Sequence, residues 1–263
     1  MSICDELGKR MKSNYEEVTK TKLVRRMPVI IRINGKSFRT FTKNFRKPFD
    51  KIVVRVMQET TRYLCENIQG CVLGYTQSDE ISLVLVDYKN LNLDAWFNNE
   101  VQKICSIAAS MATMKFNTLF RDYVTEYVYR SDNQNEEEQE LCKAYKKAVY
   151  VGALFDARCF NIPKEEVTNY IYWRQTDAMR NSVLTLGRSY FDTTELNNKS
   201  ISMVKQMLIE QKDIDWKELP IHLKRGTCVI KYKSEQLNFW QIDRAIPIFK
   251  SDNRLYIDKL IYF

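Results

Sequence analysis

Two carboxylates stand side by side in Gln77-Ser78-Asp79-Glu80, and the residues around them bear on what they can do. Two apolar strands flank the tetrad within Gly70 to Tyr88, so the segment reads as a hairpin with its acids at the tip. A second polar tip lies upstream. The β-branched run Val29-Ile30-Ile31 predicts a strand buried on both faces, and Asn34-Gly35 is a turn signal at its end. Two neighbouring strands ending this way bring carboxylate, carbonyl and amide oxygens to one point. Magnesium prefers hard oxygen ligands of this kind, completed by substrate phosphates. Paired cations held in that fashion suit in-line phosphoryl displacement. The plainer alternative is that Asp79 and Glu80 are turn residues facing water.

The elements that must position these tips follow from periodicity. A helical stretch over 2–19 precedes the first strand, read over 27–33. Asp50 is placed as the N-cap of a helix running to about Asn67, with Val53, Val56, Thr60 and Leu64 at helical spacing, and Gly70 closes it. A long helix is expected from about Trp96 to Phe120, with Val101, Ile104, Ala108, Met111 and Phe116 on one face. The acidic, apolar-free stretch 130–140 reads as a solvated loop, and a further strand fits 150–160. The order β-α-β-β-α-β is the ferredoxin-like arrangement, an α+β, polymerase-palm-like fold. Beyond Pro163, helices are expected over 165–191 and 200–210, then short strand-like pieces at 227–232 and 246–248. The division expected is a palm-like catalytic domain over 1–160 and a helical C-terminal extension over 161–263, packed together as one unit.

Composition narrows the chemistry. The chain has 263 residues, 44% of them hydrophobic, with a formal net charge of +8 that suits a polyanionic partner. A single histidine, His222, removes His-based triads and most zinc hydrolase sites, and its position before a basic strand start reads as structural. The seven cysteines lack C-x-x-C spacing, and Cys65, Cys71 and Cys105 read as core residues. No apolar run approaches the roughly 20 residues of a membrane span, and the charged start is unlike a secretory signal. The expectation is a reduced, cytoplasmic protein without a membrane partner.

Several blocks then carry a resemblance. They are Arg32 to Phe41 (RINGKSFRTF), Lys47-Pro48-Phe49-Asp50, Gly74 to Ser82 (GYTQSDEIS), Phe155-Asp156-Ala157-Arg158, Trp173-Arg174-Gln175-x-Asp177, Arg180-Asn181-Ser182 and Lys224-Arg225-Gly226-Thr227. In order and spacing they resemble the tRNA-His guanylyltransferase-like family, which extends RNA at the 5′ end on a palm-like fold. The resemblance implies a nucleotidyltransferase with Asn34, Asp79 and Glu80 at the catalytic centre. It implies two Mg2+ ions held by Asp79, the Gly35 carbonyl and Asn34. It implies ATP or GTP held by the turn Asn34, Gly35, Lys36, Ser37, Phe38 and Arg39 with Ser78 and Asp79, and phosphates faced by Arg32, Lys47, Lys103 and Arg158. It further implies a tRNA partner and a homotetramer.

Two positions depart from the family. Asn34 stands where aspartate is usual, so one negative charge beside the cations is lost. Met179 stands where eukaryotic members carry histidine, which places the chain nearer the bacterial, phage or archaeal-type branch of template-directed tRNA 5′-end repair enzymes. Tyr170 to Arg188 interleaves aromatics with arginines, a composition that grips RNA or else forms core. Arg174, Arg180, Arg188, Lys224 and Arg225 are the RNA candidates, while Tyr170 and Trp173 are expected in the core. Rival readings are a non-catalytic tRNA-binding protein with a decayed metal site, and a nucleotide cyclase.

Overall fold

The computed structural model describes residues 3–90, 92–131, 135–233 and 238–262. In chain order its elements are α1 (Ile3–Met11), β1 (Val29–Gly35), α2 (Phe38–Phe41), α3 (Lys51–Asn67), β2 (Cys71–Gln77), β3 (Glu80–Leu85), α4 (Val101–Arg130), α5 (Glu136–Val151), β4 (Phe155–Asn161), α6 (Lys164–Gly187), α7 (Thr193–Leu196), α8 (Ile201–Lys212), α9 (Ile221–Arg225), β5 (Thr227–Lys233), β6 (Asn238–Asp243) and α10 (Leu255–Tyr262). The strands form one antiparallel sheet in the order β4-β1-β3-β2-β5-β6. Its first four strands have the ferredoxin-like order, and β5 and β6 extend the sheet beyond β2.

The period-2 alternation of β1 splits its side chains between two cores. Val29, Ile31 and Ile33 join Ile81, Leu83 and Leu85 of β3 under α3 and α4. Phe38, Phe41, Phe45, Phe116, Phe120, Phe155 and Tyr145 fill that layer with ring pairs, such as Phe38–Phe116 at 5.4 Å between centroids. On the other side Ile30, Val84, Leu73 and Tyr75 pack against Val167, Tyr170 and Ile171 of α6 and against Ile257 and Ile261 of α10. A third cluster, Val183, Leu186, Phe191, Val204 and Leu208, binds the end of α6 to α8.

Asp50 caps α3 as its place before the apolar run predicts, accepting from the Ile52 and Val53 amides at 3.0 Å each. The stretch 130–140 corrects the expectation of a loop. Residues 132–134 lie outside the described residues, but Asn135 accepts from the Glu137 amide at 3.0 Å and starts α5. Glu136, Glu137 and Glu138 occupy its first turn, where the helix dipole favours acids. The helix consumes 150–151, so β4 starts at Phe155 rather than at 150. The strand expected at 246–248 is instead an irregular segment anchored by buried Ile246, and β6 forms earlier. Similarly, α4 starts at Val101 and runs on to Arg130.

Candidate active site

Register places the two polar tips together. Asn34 of β1 stands opposite Glu80 of β3 on one side and Asp156 of β4 on the other, so the three side chains share one sheet face. The Gly35 amide donates to the Asp79 backbone carbonyl at 2.9 Å, closing the gap between strand end and hairpin tip. Gly35 is required there by contact, since a Cβ would lie 2.1 Å from the ring of core residue Phe38. Ser78 turns the hairpin at a left-handed φ of 50° and donates to Asp79 Oδ1 at 3.1 Å.

The adjacent acids differ in their surroundings. Asp79 makes no ion pair among the described residues, and burial pushes its carboxyl above the ordinary range, with the Ser78 hydroxyl acting in the opposite direction. Glu80 is buried and fully engaged. Its Oε1 accepts from Arg174 Nε at 2.6 Å, and its Oε2 accepts from Arg174 Nη2 at 3.1 Å and from Arg32 Nη2 at 2.5 Å. Arg174 also donates to Asp177 Oδ2 at 2.7 Å. This bidentate fork is the strong geometry for guanidinium and carboxylate. Arg32 keeps one polar atom without a partner, its buried Nε.

A desolvated carboxylate without a cation, a strand-end carbonyl and an amide oxygen suit a hard divalent ion whose remaining ligands come from phosphates and water. Among the described residues no group of three or more His, Cys, Asp or Glu side chains is arranged to hold a metal, so the protein's own contribution is sparse. The family model for tRNAHis guanylyltransferase matches residues 8–163.

The chain belongs to the tRNAHis guanylyltransferase family.

This is a family of nucleotidyltransferases that add nucleotides to tRNA 5′ ends. The chain is similar to protein R259 of Acanthamoeba polyphaga mimivirus, 29% identical with 99% of this chain and 89% of that protein covered. It is also similar to a probable tRNA(His) guanylyltransferase of Dictyostelium discoideum, 25% identical over 90% of this chain and 86% of that one. Among solved structures, a bacterial tRNA(His) guanylyltransferase-like protein in complex with ATP is 37% identical, covering 98% of this chain and 100% of its own, with a TM-score of 0.82. A bacterial guanylyltransferase-like protein in complex with GTP gives 0.76 at 36% identity and the same coverage.

Around this candidate site the other expected residues divide into three groups. Lys36, Ser37, Arg39 and Ser78 are exposed on the turns beside Asp79, and Arg158 is exposed on β4 opposite Arg32, donating to Asp156 at 3.1 Å. Phe38, expected with the nucleotide, has its ring in the core under α4, so only its backbone belongs to the turn. Lys103 and Lys47 are exposed, and their recorded contacts are with groups other than the two tips. Lys103 sits on the first turn of α4, where Cys159 contacts the Val101 carbonyl and Cys105, on the sheet side away from α6. Lys47 folds back onto the Thr42 carbonyl at 3.1 Å.

The RNA candidates also divide. Arg180 and Arg188 are exposed on α6 and just beyond it. Arg174 is a correction: at 4% exposure its guanidinium serves Glu80 and Asp177 inside the protein and has no surface to offer RNA. Lys224 reaches the Lys217 carbonyl, and the Arg225 carbonyl accepts from the Tyr75 hydroxyl at 2.8 Å, so both are half-buried. Of the aromatics, Tyr170 is core, bonded to Ser82 at 3.0 Å, but Trp173 is 55% exposed, against the expectation. His222 is half-buried on α9, its pKa lowered by burial and by Arg244. Cys65 is buried, Cys71 and Cys105 are partly buried, and the six described cysteines are free, with the Cys4 side chain outside the described residues.

Sequence reasoning missed Asp177 and Asp156 as members of this cluster and misassigned Arg174. Arg174 and Asp177, at i and i+3 on one helix, could have signalled an intrahelical pair. Nothing local pointed to Glu80, 94 residues away.

Proposed function

We propose that this chain is a magnesium-dependent enzyme that extends the 5′ end of tRNA in the 3′–5′ direction. A 5′-monophosphorylated tRNA is first adenylylated by ATP with release of pyrophosphate. The 3′-hydroxyl of an incoming NTP then attacks the activated phosphate, releasing AMP and forming the phosphodiester bond. The observation that carries this reading is the contrast between Asp79, desolvated and without a cationic partner, and Glu80, whose two oxygens are held by arginines. Only the first is free to take a divalent ion.

Asp79, the Gly35 carbonyl and the Asn34 side-chain oxygen are the groups that would hold Mg2+, which would supply neutralisation of the charge on the phosphates. Arg32, fixed by Glu80, faces the phosphates from the sheet, with Arg158 beside it on β4. The exposed turn Lys36–Arg39 and Ser78 take the nucleotide. Arg180 and Arg188 meet the tRNA backbone. Catalysis then rests on positioning and on fixed charges rather than on an amino-acid nucleophile. Asn34 supplies a neutral oxygen where the family has a carboxylate, so turnover is slow and the magnesium requirement high. Met179, where eukaryotic members carry histidine, supports a role in template-directed tRNA 5′-end repair.

The deciding experiment incubates the chain with 5′-truncated tRNA, magnesium and NTPs. Extension at the 5′ end, copied from the opposing strand, is the expected product. Tight tRNA binding with no extension at any magnesium concentration sinks the catalytic reading.

A further inference from the structure

We propose that the indole of Trp173 is a stacking platform for a nucleobase at the edge of the Asp79 site. The inference rests on the reading of that site as nucleotide-binding, and it adds a residue that neither the phosphate contacts nor the metal contacts require.

Of the four tryptophans, Trp173 is the only exposed one. A tryptophan more than half exposed leaves a large apolar surface in water, which folding alone does not favour. Yet the ring is held in place. The Arg174 guanidinium lies 4.4 Å from its centroid, that of Arg32 lies 6.0 Å away, and Tyr170 meets it edge-on at 5.9 Å. Both arginines are themselves tied to Glu80, and Tyr170 is tied to Ser82 of β3. A ring braced from its own helix and from the sheet loses little entropy when a ligand covers it.

Its position selects the ligand. Arg32 is two residues before Asn34 on β1, about 7 Å along the strand. Arg174 fastens Trp173's turn of α6 to Glu80, the residue paired with Asn34. A phosphate held by Arg32 beside the Asp79 tip therefore places its nucleoside within reach of the indole. Aromatic rings stack on any base because every base has a π-face. The base can belong to the free triphosphate or to the 5′-terminal nucleotide of the RNA, and the chemistry of the platform is the same for both.

The test compares the wild-type chain with Trp173→Ala and Trp173→Phe against three probes: GTP, a short 5′-monophosphorylated single-stranded RNA, and inorganic tripolyphosphate. Loss of one base stack weakens binding by about 5- to 150-fold. Trp173→Ala is expected to weaken GTP or the RNA by that factor, and the probe affected names the source of the base. Trp173→Phe retains a ring and is expected to lose under about threefold. Tripolyphosphate, lacking a base, binds all three proteins alike. Unchanged affinity of Trp173→Ala for both base-bearing probes overturns the platform, as does an equal loss for tripolyphosphate. The ring is outside the three core clusters, so the variants are expected to stay folded, with a thermal unfolding midpoint only slightly below that of the wild type. A wild-type chain that shows these base effects but adds no nucleotide to tRNA sinks the catalytic reading and leaves the platform standing. One that adds nucleotides while Trp173→Ala binds normally sinks the platform alone.

Discussion

Under α3 and α4 the sheet offers Ile31, Ile33, Ile81 and Leu83 to a layer of phenylalanines, while the alternate positions under α6 read Arg32, Asn34, Glu80 and Ser82. The same two strands thus build an apolar core along one face, and on the other an ionic network at the tip end beside the core that Ile30 and Val84 join. On the first face every side chain is replaceable in principle by another of similar volume, because close packing is non-directional. On the second, Arg32, Glu80 and Ser82 have partners at set distances, whereas Asp79 at the tip has no cationic one among the described residues. Two neighbouring acids, one satisfied and one not, separate holding the site together from operating it.

That contrast makes Asp79→Ala the sharpest test. The substitution removes a carboxylate without an ion pair, so stability is expected to hold or rise slightly, whereas 5′ addition falls by about 1,000-fold or more, equivalent to about 4 kcal/mol of transition-state stabilisation. Equal turnover in the variant removes Asp79 from the chemistry. On the apolar face the opposite holds. Phe116 is fully buried among Phe38, Phe41, Phe120 and Phe155, and Phe116→Ala is expected to lower unfolding stability by about 3–5 kcal/mol in a urea titration. The protein that remains folded keeps its affinity for tRNA.

Glu80 lies between these extremes. Glu80→Ala takes from buried Arg174 its bidentate partner and leaves only Asp177, at a cost of about 3 kcal/mol. Pairing Glu80→Leu with Arg174→Met removes both charges and is expected to recover most of the stability but not the activity, since Arg32 is then no longer fixed. Recovery of both would make the network a packing device only. The mildest change is Asn34→Asp, expected to raise the rate of addition about 10-fold and to lower the magnesium needed for half-maximal rate. An aspartate variant no faster than this chain at any magnesium concentration takes position 34 out of the metal site.

Local pattern was enough to find β1, the β2–β3 hairpin, α3 and the ferredoxin-like order, since each has a strong period and clear caps. It failed at α5 because the first turn, Glu136 to Glu138, has no apolar residue to show a period, and the helix face appears only at Leu141, Cys142 and Tyr145. It failed at β6 because Asn238–Asp243 is short and gains its stability from pairing with β5 rather than from its own residues. At the site, the tips at Asn34-Gly35 and Asp79 were readable as turn chemistry. The division of labour between Asp79 and Glu80 was not, because it depends on an arginine on α6 meeting the sheet across 94 residues. The same fact turned Arg174 from a candidate RNA contact into an internal strut.

The seam between β2 and β5 bears on how the chain comes to be folded at all. Tyr75 is bonded to Arg225, 150 residues on, and Gln58 to Thr227, 169 residues on. Contacts so distant in sequence close late and slow the search for the native state. During synthesis, β2 has an unpaired edge until residues 227–233 emerge, and Leu73, Tyr75 and Val84 lack the cover of Cys228, Phe249 and Ile257. Open strand edges of this kind recruit other chains. The last quarter of the polypeptide thus acts as a closing clasp, and a fragment ending near residue 163 is expected to emerge from the ribosome as a chaperone client rather than as a free-standing catalyst.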